Sequence, residues 1–339
     1  MLKKISFDLY KSVTSGAEYF EKTESGVIPH RFSESEERVY SELHPDYLKK
    51  CNTPAGIKTE FRTDARCLEL IFNAREIMPR RYFAVDVFVN SERRGGVRNF
   101  DSPEQIQGNP TVELPLGTYG CRVDLPGGEC EVRIVMPFDV NLEVTELALE
   151  GATFVTPIKR SRVLLAYGDS ITHGYDAFYP SNSYVNRLAD MLDATVFNKA
   201  IGGEVFFPEL LDAENKVQPD IITVAYGTND LSRGKRAVTE RDCKLFYEKL
   251  RKKYPSAKIF AVSPIWRRDA DEQKPFGDFH DVEKIIAEAI SDLDNAHLIH
   301  GFDLVPHDTN LFADLQLHPN DDGFAHYAKN LFEEMKKYL

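Results

Sequence analysis

The segment VLLAYGDSITHG, residues 163–174, contains the pattern from which the architecture of the C-terminal half follows. Its first five residues, Val163–Tyr167, are apolar on both faces of a strand, which is typical of a parallel sheet covered by helices on both sides. Gly168 and Asp169 then turn the chain and place Ser170 just beyond that strand. Because ligands bind outside the carboxyl ends of the strands in open α/β sheets, Ser170 is a candidate functional residue.

The rest of residues 160–339 continues this alternation of apolar strands and amphipathic helices. Further strands are predicted at Thr195–Asn198, Ile221–Tyr226, Lys258–Val262 and His297–His300. Helices are predicted at Thr239–Tyr254, Asp278–Leu293 and Asp321–Tyr338. The first of these helices opens with a Thr-x-x-Asp pattern that is close to a capping box. The alternation predicts a three-layer, doubly wound α/β domain with a parallel sheet.

Residues 1–155 have a different pattern, in which apolar and polar residues alternate with a period of two. Runs of this kind occur at Gly56–Ala74, Tyr82–Val89, Glu129–Phe138 and Val140–Leu149. They predict antiparallel strands that face a core on one side. We therefore expect an all-β sandwich or jelly-roll accessory domain over residues 1–155, with Ala152–Arg162 as the linker to the second domain.

The composition narrows the classes of partner and compartment. The chain has 42 Lys and Arg against 54 Asp and Glu, and this net charge of −12 argues against nucleic acid or an anionic membrane as the main partner. No apolar run approaches the roughly 18 residues of a membrane span. The start MLKKISFDLY lacks the apolar region of a signal peptide, and the five cysteines form no C-x-x-C pair. A cytoplasmic protein with free thiols is expected, and its oligomeric state is left open.

Four loops at the predicted sheet edge carry residues that suit acyl transfer. They are Gly168–Gly174, Asn198–Gly203, Gly227–Asp230 and Asp314–Asn320. A serine hydroxyl such as that of Ser170 needs a base, and a free imidazole, with an ordinary pKa of about 6.5, is a suitable one. His318 is the candidate for this role. The oxyanion of the tetrahedral intermediate needs fixed donors, which the N–H groups of Gly203 and Ser170 and the side-chain amide of Asn229 can supply.

The segments GDSITHG, NKAIGG, GTND and LHPN resemble, in order and spacing, the four blocks of the SGNH hydrolases, also called GDSL esterases. The resemblance covers about residues 163–339 and implies a flavodoxin-like hydrolase domain. It also implies Ser170 as the nucleophile and His318 as the base. Gly203 and Asn229, with the N–H of Ser170, correspond to the oxyanion hole.

One position departs from the family pattern. The family usually has an aspartate three residues before the histidine, and this position is Leu315 in the present chain. Asp314 lies one residue earlier. Either the loop shifts so that the Asp314 carboxylate reaches the ring of His318, or a backbone carbonyl orients the ring and the site is a Ser–His dyad. The sequence leaves both arrangements open.

The N-terminal stretches SFDLY, TESGVIPHRF and FRTDARCLEL resemble the β-sandwich domain that precedes the catalytic domain in some sugar-ester acetylesterases and a related acyltransferase. The prediction is a serine esterase for short acyl groups, acetyl above all, on a small-molecule or oligosaccharide ester. An acyltransferase using the same site is one alternative. A carbohydrate-binding protein with a decayed hydrolase domain is another, and only Leu315 favours it.

The remaining candidates have two interpretations each. Trp266 follows the fourth strand, where it could stack on a sugar ring or cap the core. His173 lies near Ser170 but is predicted to be a surface loop residue. No H-E-x-x-H motif, Cys/His cluster or G-K-[ST] motif is present, so neither a metal nor another cofactor is expected.

Overall fold

The computed structural model describes residues 1–77, 80–106 and 116–339. The strands are β1 (Leu2–Lys4), β2 (Thr14–Ser15), β3 (Tyr19–Lys22), β4 (Val27–His30), β5 (Lys58–Thr63), β6 (Cys67–Ile77), β7 (Ala84–Val89), β8 (Glu92–Arg98), β9 (Gly117–Asp124), β10 (Cys130–Val135), β11 (Val140–Glu150), β12 (Val155–Pro157), β13 (Arg162–Gly168), β14 (Ala194–Asn198), β15 (Ile221–Ala225), β16 (Lys258–Val262) and β17 (Ala296–Ile299). The α-helices are α1 (Phe7–Val13), α2 (Glu34–Leu43), α3 (Pro45–Cys51), α4 (Ser170–His173), α5 (Tyr184–Met191), α6 (Thr228–Arg233), α7 (Arg236–Lys253), α8 (Asp281–Ile290) and α9 (Asp321–Met335), and short 3-10 turns lie at Pro103–Gln105, Pro180–Asn182, Pro208–Asp212 and Thr309–Leu311.

The C-terminal strands form the predicted parallel sheet, in the order β14-β13-β15-β16-β17. This is the order of a flavodoxin-like doubly wound sheet. Apolar side chains of α5 and α9, such as Leu188 and Leu331, pack in the core on one face of the sheet. Those of α7 and α8, such as Phe246 and Ile286, pack in the core on the other face. The three-layer α/β fold class is therefore confirmed.

One predicted helix start is wrong. Helix α7 begins at Arg236, and Thr239 lies inside its first turn rather than at its N-cap. The Thr239 hydroxyl points into the protein, 3.4 Å from Oδ1 of Asp230, and is buried. A capping residue must have an extended backbone, and Lys235 takes that conformation instead, without a side-chain cap.

The N-terminal strands form two antiparallel sheets that face each other, as predicted. Among the described residues one sheet has the order β3-β4-β11-β6-β9 with β1 on β11, and the other has the order β12-β5-β10-β7-β8 with β2 on β5. Alternate side chains from both sheets, such as Leu70 and Val132, form the core between them. Strand β12 falls within the expected linker, so part of that segment is an edge strand of the sandwich.

A helical segment interrupts the sandwich and packs on the α/β domain. Helix α2 begins at a capping box formed by Ser33 and Glu36, a signal that the sequence contains and that strand periodicity alone overlooks. The side chains of Phe32, Tyr40 and Cys51 are buried in the same apolar cluster as those of α7 and α8. The two halves of the chain therefore share part of one core.

A buried ammonium group also joins the two halves. Nζ of Lys199, after β14, lies 2.9 Å from Oε1 of Glu18 and 2.6 Å from Oε2 of Glu36. The Lys199 side chain has no exposed surface.

Among the described residues, no helix is long and apolar enough to cross a bilayer.

The substitution Lys199→Met is expected to lower the free energy of unfolding by about 3–5 kcal/mol, because it leaves buried carboxylates without their cation. Urea unfolding measures the change. The control is Lys244→Met, at an exposed position on α7, for which a change within about 0.5 kcal/mol is expected. Equal losses in both variants would contradict this role of Lys199.

Candidate active site

The turn after β13 presents Ser170 at the start of α4. The Asp169 carboxylate accepts a hydrogen bond from the N–H of Ile171 at 3.0 Å and so caps this short helix. Burial raises the pKa of Asp169 to about 6. A Cβ at Gly168 would overlap the side chain of Thr172, so only glycine fits at the end of the strand. Asp169 thus holds the turn, and the Ser170 hydroxyl faces the loop before α9.

Ser170 and His318, which lie 148 positions apart in the sequence, are hydrogen-bonded in the structure. Oγ of Ser170 lies 2.8 Å from Nε2 of His318, and both residues are buried. The other ring nitrogen, Nδ1, lies 2.7 Å from Oδ2 of Asp314. This is the arrangement of nucleophile, base and carboxylate that activates a serine.

The loop geometry explains how the carboxylate of Asp314 reaches the ring of His318, although Leu315 stands at the position where the family has its aspartate. Leu315 has a φ of 57° and an exposed side chain, so the backbone makes a left-handed turn at the extra residue. The second carboxylate oxygen of Asp314 accepts hydrogen bonds from the N–H groups of Gln316, Leu317 and His318 at 2.7–3.0 Å. Of the two arrangements left open by the sequence, the structure has the carboxylate, rather than a backbone carbonyl, on Nδ1.

The pKa of Asp314 follows from these contacts. Burial by itself raises the pKa of this carboxyl group, but the hydrogen bond and charge of His318 and the backbone N–H groups outweigh burial and lower it below the ordinary value. Asp314 is therefore ionised at neutral pH, and its negative charge faces the ring nitrogen that must carry a proton while Nε2 acts as a base.

A second carboxylate and a guanidinium group complete the surroundings of His318, and the sequence analysis missed both. Arg80, from the N-terminal half, makes a two-pronged ion pair with Asp176 at 2.5 and 2.9 Å. One of its terminal nitrogens lies 3.2 Å from Nδ1 of His318, and Oδ2 of Asp176 lies 3.5 Å from the same atom. Asp176 follows Ser170 by six residues, which is a usable signal, whereas no local pattern indicates Arg80.

The oxyanion-hole candidates lie on loops that are held against the nucleophile turn. The N–H of Ile201 donates to the carbonyl of Gly168 at 3.1 Å, which joins the loop that carries Gly203 to the turn that carries Ser170. Gly203 has a φ of 93°, a conformation that favours glycine. Within the described ranges, the backbone N–H groups of Ser170 and Gly203 donate no hydrogen bond, so both remain available as donors.

The side-chain amide of Asn229 is held from both ends. Its Oδ1 accepts a hydrogen bond from Arg233 at 2.5 Å, and its Nδ2 donates to the carbonyl of Glu204 at 3.0 Å. These bonds determine which end of the amide carries the donors. One N–H of Nδ2 is left for a ligand.

The prediction that His173 is a surface residue is wrong, because the side chain is 1% exposed. Its Nε2 lies 2.8 Å from the carbonyl of Phe138, and its Nδ1 accepts the N–H of Gly202 at 3.2 Å. Burial, together with the charge of Arg31, lowers the pKa of His173 well below its ordinary value. A neutral imidazole that donates through Nε2 and accepts through Nδ1 fits these partners, so His173 supports the loop of Gly203.

Trp266 lies apart from the Ser170–His318 pair. Its ring stacks on His307 with centroids 5.2 Å apart and contacts Phe312 edge-on at 5.4 Å. No contact joins it to Ser170 or His318 among the described residues, and a role in substrate binding stays a prediction.

The carboxylates around His318 also form a possible cation site. One ligand atom each from Asp176, Asp314 and His318 lies within 4.8 Å of the others. The Arg80 guanidinium already binds both oxygens of Asp176 and approaches His318, so a positive charge occupies this place. The arrangement therefore suits Arg80 better than a metal ion.

This three-layer fold, with a serine and a histidine at the carboxyl edge of the sheet, defines the class as a hydrolase-type α/β domain. Residues 166–326 match the GDSL-like Lipase/Acylhydrolase family, so the chain contains a domain of this family. No curated protein matches the chain in sequence.

Solved structures share the architecture of both halves. A salicylyl-acyltransferase from a tetracycline biosynthetic pathway has 20% identity and a TM-score of 0.74, with 96% of this chain and 94% of that chain covered. An acetyl xylan esterase from the rumen bacterium Butyrivibrio proteoclasticus has 15% identity and a TM-score of 0.63 over 99% and 98%. A family two carbohydrate esterase from Cellvibrio japonicus has 18% identity and a TM-score of 0.60 over 84% and 89%. At these identities the likeness shows the fold.

A fluorophosphonate probe is expected to label the protein at Ser170, and Ser170→Ala is expected to remove the label. Asp314→Asn should slow labelling by about 10²–10⁴-fold, because it removes the charge that stabilises the protonated His318 ring. Intact-protein mass spectrometry follows the rate. Asp303→Asn is the matched control, since Asp303 is exposed and lies beside His307. Equal rates for Asp314→Asn and the control would contradict the role of Asp314.

Glu204, next to Gly203, is a buried carboxyl group. It lies 2.6 Å from the hydroxyl of Tyr40 and 2.7 Å from that of Tyr226. Burial raises the pKa of Glu204 to about 8, although the two tyrosine hydroxyls oppose the shift. The folded pKa is above the unfolded value, so the stability contributed by the protonated form is present at low pH and is lost as the pH rises through about 8.

Glu204→Gln, which is neutral at every pH, is expected to flatten the fall in stability between about pH 4.5 and 8. Urea midpoints measured across this range, for the wild type and the variant, test this. Glu209→Gln, at an exposed position nearby, should follow the wild-type curve. If the curve of Glu204→Gln runs parallel to that of the wild type, Glu204 is not the group that takes up a proton on folding in this pH range.

Proposed function

We propose that this protein is a serine esterase that removes short acyl groups, acetyl above all, from carbohydrate esters. The observation that carries the proposal is the 2.8 Å hydrogen bond between Oγ of Ser170 and Nε2 of His318, with Asp314 on the other ring nitrogen. The family of residues 166–326 supports acyl transfer as the reaction class.

The reaction proceeds in two halves. Oγ of Ser170 attacks the ester carbonyl carbon while Nε2 of His318 takes the hydroxyl proton. The ester C–O bond then breaks, and His318 gives its proton to the departing alcohol. In the second half a water molecule attacks the acyl-enzyme, His318 takes one of its protons, and that proton returns to Oγ as the acid leaves.

Charge is compensated at both ends of the developing intermediate. The carbonyl oxygen becomes negative and accepts hydrogen bonds from the N–H groups of Ser170 and Gly203 and from Nδ2 of Asn229. The imidazolium of His318 is stabilised by the ionised Asp314. Loss of one such oxyanion donor typically costs about 10²–10³-fold in kcat.

Support for a sugar ester comes from the fold neighbours. The esterases from Cellvibrio japonicus and Butyrivibrio proteoclasticus act on carbohydrate by their printed names, and both share the architecture of this chain. This support is an analogy at the level of the fold, and the chemistry of the site is argued separately from its residues.

An acyltransferase is the second candidate, because the salicylyl-acyltransferase matches 96% of this chain with a TM-score of 0.74. The same acyl-enzyme would then react with an alcohol or amine instead of water. The binding protein with a decayed site has lost its only support, since Asp314 occupies the place that Leu315 leaves vacant.

Hydrolysis of p-nitrophenyl acetate, butyrate and octanoate tests the proposal. We expect kcat/KM to be highest for acetate and activity to vanish in Ser170→Ala, because the acyl-enzyme cannot form. Acetylated xylo-oligosaccharides are the next substrates, with released acetate as the readout. Activity that persists in Ser170→Ala would contradict the proposal, and acyl products that appear only with an added alcohol or amine would favour the acyltransferase.

A further inference from the structure

Helix α3 of the N-terminal half contacts the loop that carries Gly203. Nζ of Lys50 donates a hydrogen bond to the carbonyl of Gly202, and the hydroxyl of Tyr47 donates to the carbonyl of Gly203 at 2.9 Å. The two side chains are three residues apart on the helix and therefore lie on one face. Nζ of Lys50 also lies 4.7 Å from the centroid of the Tyr47 ring.

The contact of Lys50 acts on the peptide unit that contains an oxyanion donor. The carbonyl of Gly202 and the N–H of Gly203 belong to one planar trans peptide, so they point in opposite directions. A cation on the carbonyl polarises the unit and makes its N–H a stronger donor. Such coupling strengthens a hydrogen bond by about 10–30%. The available N–H of Gly203 is thus held and polarised from its far side.

Two cationic side chains lie close to this glycine. A Cβ built on Gly203 would lie 3.5 Å from a terminal nitrogen of Arg233 and 3.7 Å from Nζ of Lys50. Within the described ranges, neither cation forms an ion pair with a carboxylate, and both bond to carbonyl or amide oxygens. Their charge remains available to stabilise negative charge that develops beside Gly203.

A buried guanidinium keeps Lys50 at this distance from the loop. Arg31 donates to the carbonyl of Lys50 at 2.8 Å, and its other nitrogens reach the carbonyls of Asn198 at 2.6 Å and Ala200 at 2.8 Å. The end of α3 and the start of the Gly203 loop are thus bound to the same side chain. The buried Arg31 side chain therefore fixes the position of Lys50 relative to the Gly203 loop.

We propose that Lys50 is a positioning residue of the oxyanion hole, so that the N-terminal half supplies part of the catalytic machinery. The proposal rests on the proposed function only in assuming that Gly203 binds an oxyanion. It differs from a substrate contact because Lys50 acts through the peptide of Gly203.

The test compares Lys50→Met, Lys50→Arg and the neighbouring control Lys49→Met, which removes an exposed ammonium paired with Glu76. With p-nitrophenyl acetate, we expect Lys50→Met to lower kcat about tenfold, less than the loss of a direct donor, with KM nearly unchanged. Lys50→Arg should recover most of the rate because its guanidinium also donates to a carbonyl. Lys49→Met should match the wild type.

The rate of fluorophosphonate labelling at Ser170 separates this proposal from the esterase proposal. Labelling develops negative charge in the same hole but needs no ester substrate. If the wild type hydrolyses no ester yet labels at Ser170, and Lys50→Met slows labelling about tenfold, the esterase proposal fails and the role of Lys50 stands.

Three results would overturn the role of Lys50. The first is a labelling rate of Lys50→Met equal to that of the wild type, and the second is an equal loss of rate in Lys49→Met. The third is a loss confined to KM for the anionic ester 4-acetoxybenzoate, which would make Lys50 a substrate contact. Urea midpoints verify folding. If Lys50→Met does not fold, Lys50→Gln takes its place, since it removes the charge but keeps a polar side chain, and the same loss of rate is expected.

Discussion

Among the described residues, the buried guanidinium of Arg31 has no carboxylate partner, and its hydrogen bonds to backbone carbonyls hold the Gly203 loop in place. A buried charge costs several kcal/mol unless hydrogen bonds compensate it. Arg31 donates hydrogen bonds to backbone carbonyls of two segments that are distant in the sequence. These are the carbonyls of Lys50 and Thr53 in one segment and of Asn198 and Ala200 in the other. Burial lowers the pKa of Arg31 to about 10, so it remains charged at neutral pH. The segments that contain Lys50 and Asn198 therefore cannot separate without leaving the buried charge of Arg31 without its hydrogen bonds.

With that anchor in place, the N-terminal half reaches the active site from two sides. Lys50 lies behind the loop of Gly203, and Arg80 lies beside His318. Among the described residues, the charged groups within 3.5 Å of Nδ1 of His318 are two carboxylates, Asp314 and Asp176, and one guanidinium, Arg80. These three groups sum to −1, a net charge opposite in sign to that of a protonated His318 ring. The N-terminal half thus places side chains at the candidate site.

Local patterns located the five parallel strands and the helices α7, α8 and α9, but they misplaced one helix start and missed several other helices. The apolar runs predicted β13 to β17 to within a residue or two, because strands covered by helices on both faces are mostly apolar, even where a buried polar residue such as Thr223 lies within one. The start of α7 was misplaced because Thr239 carries the sequence pattern of a cap while its hydroxyl is used inside the fold. Helices α2 and α3 went unpredicted because their apolar residues are few and pack on the other half of the chain.

The sequence by itself determined the alternation of strands and helices, the order of the four blocks, and the choice of Ser170 and His318 as the candidate reacting pair. These follow from periodicity and from chemistry that only a few residue types can perform. The tertiary structure alone decided which group orients His318, because the left-handed turn at Leu315 brings Asp314 to the ring. It alone brought Arg80 to the site as well. Such contacts depend on distances through space between residues far apart in the chain, and no local pattern contains that information.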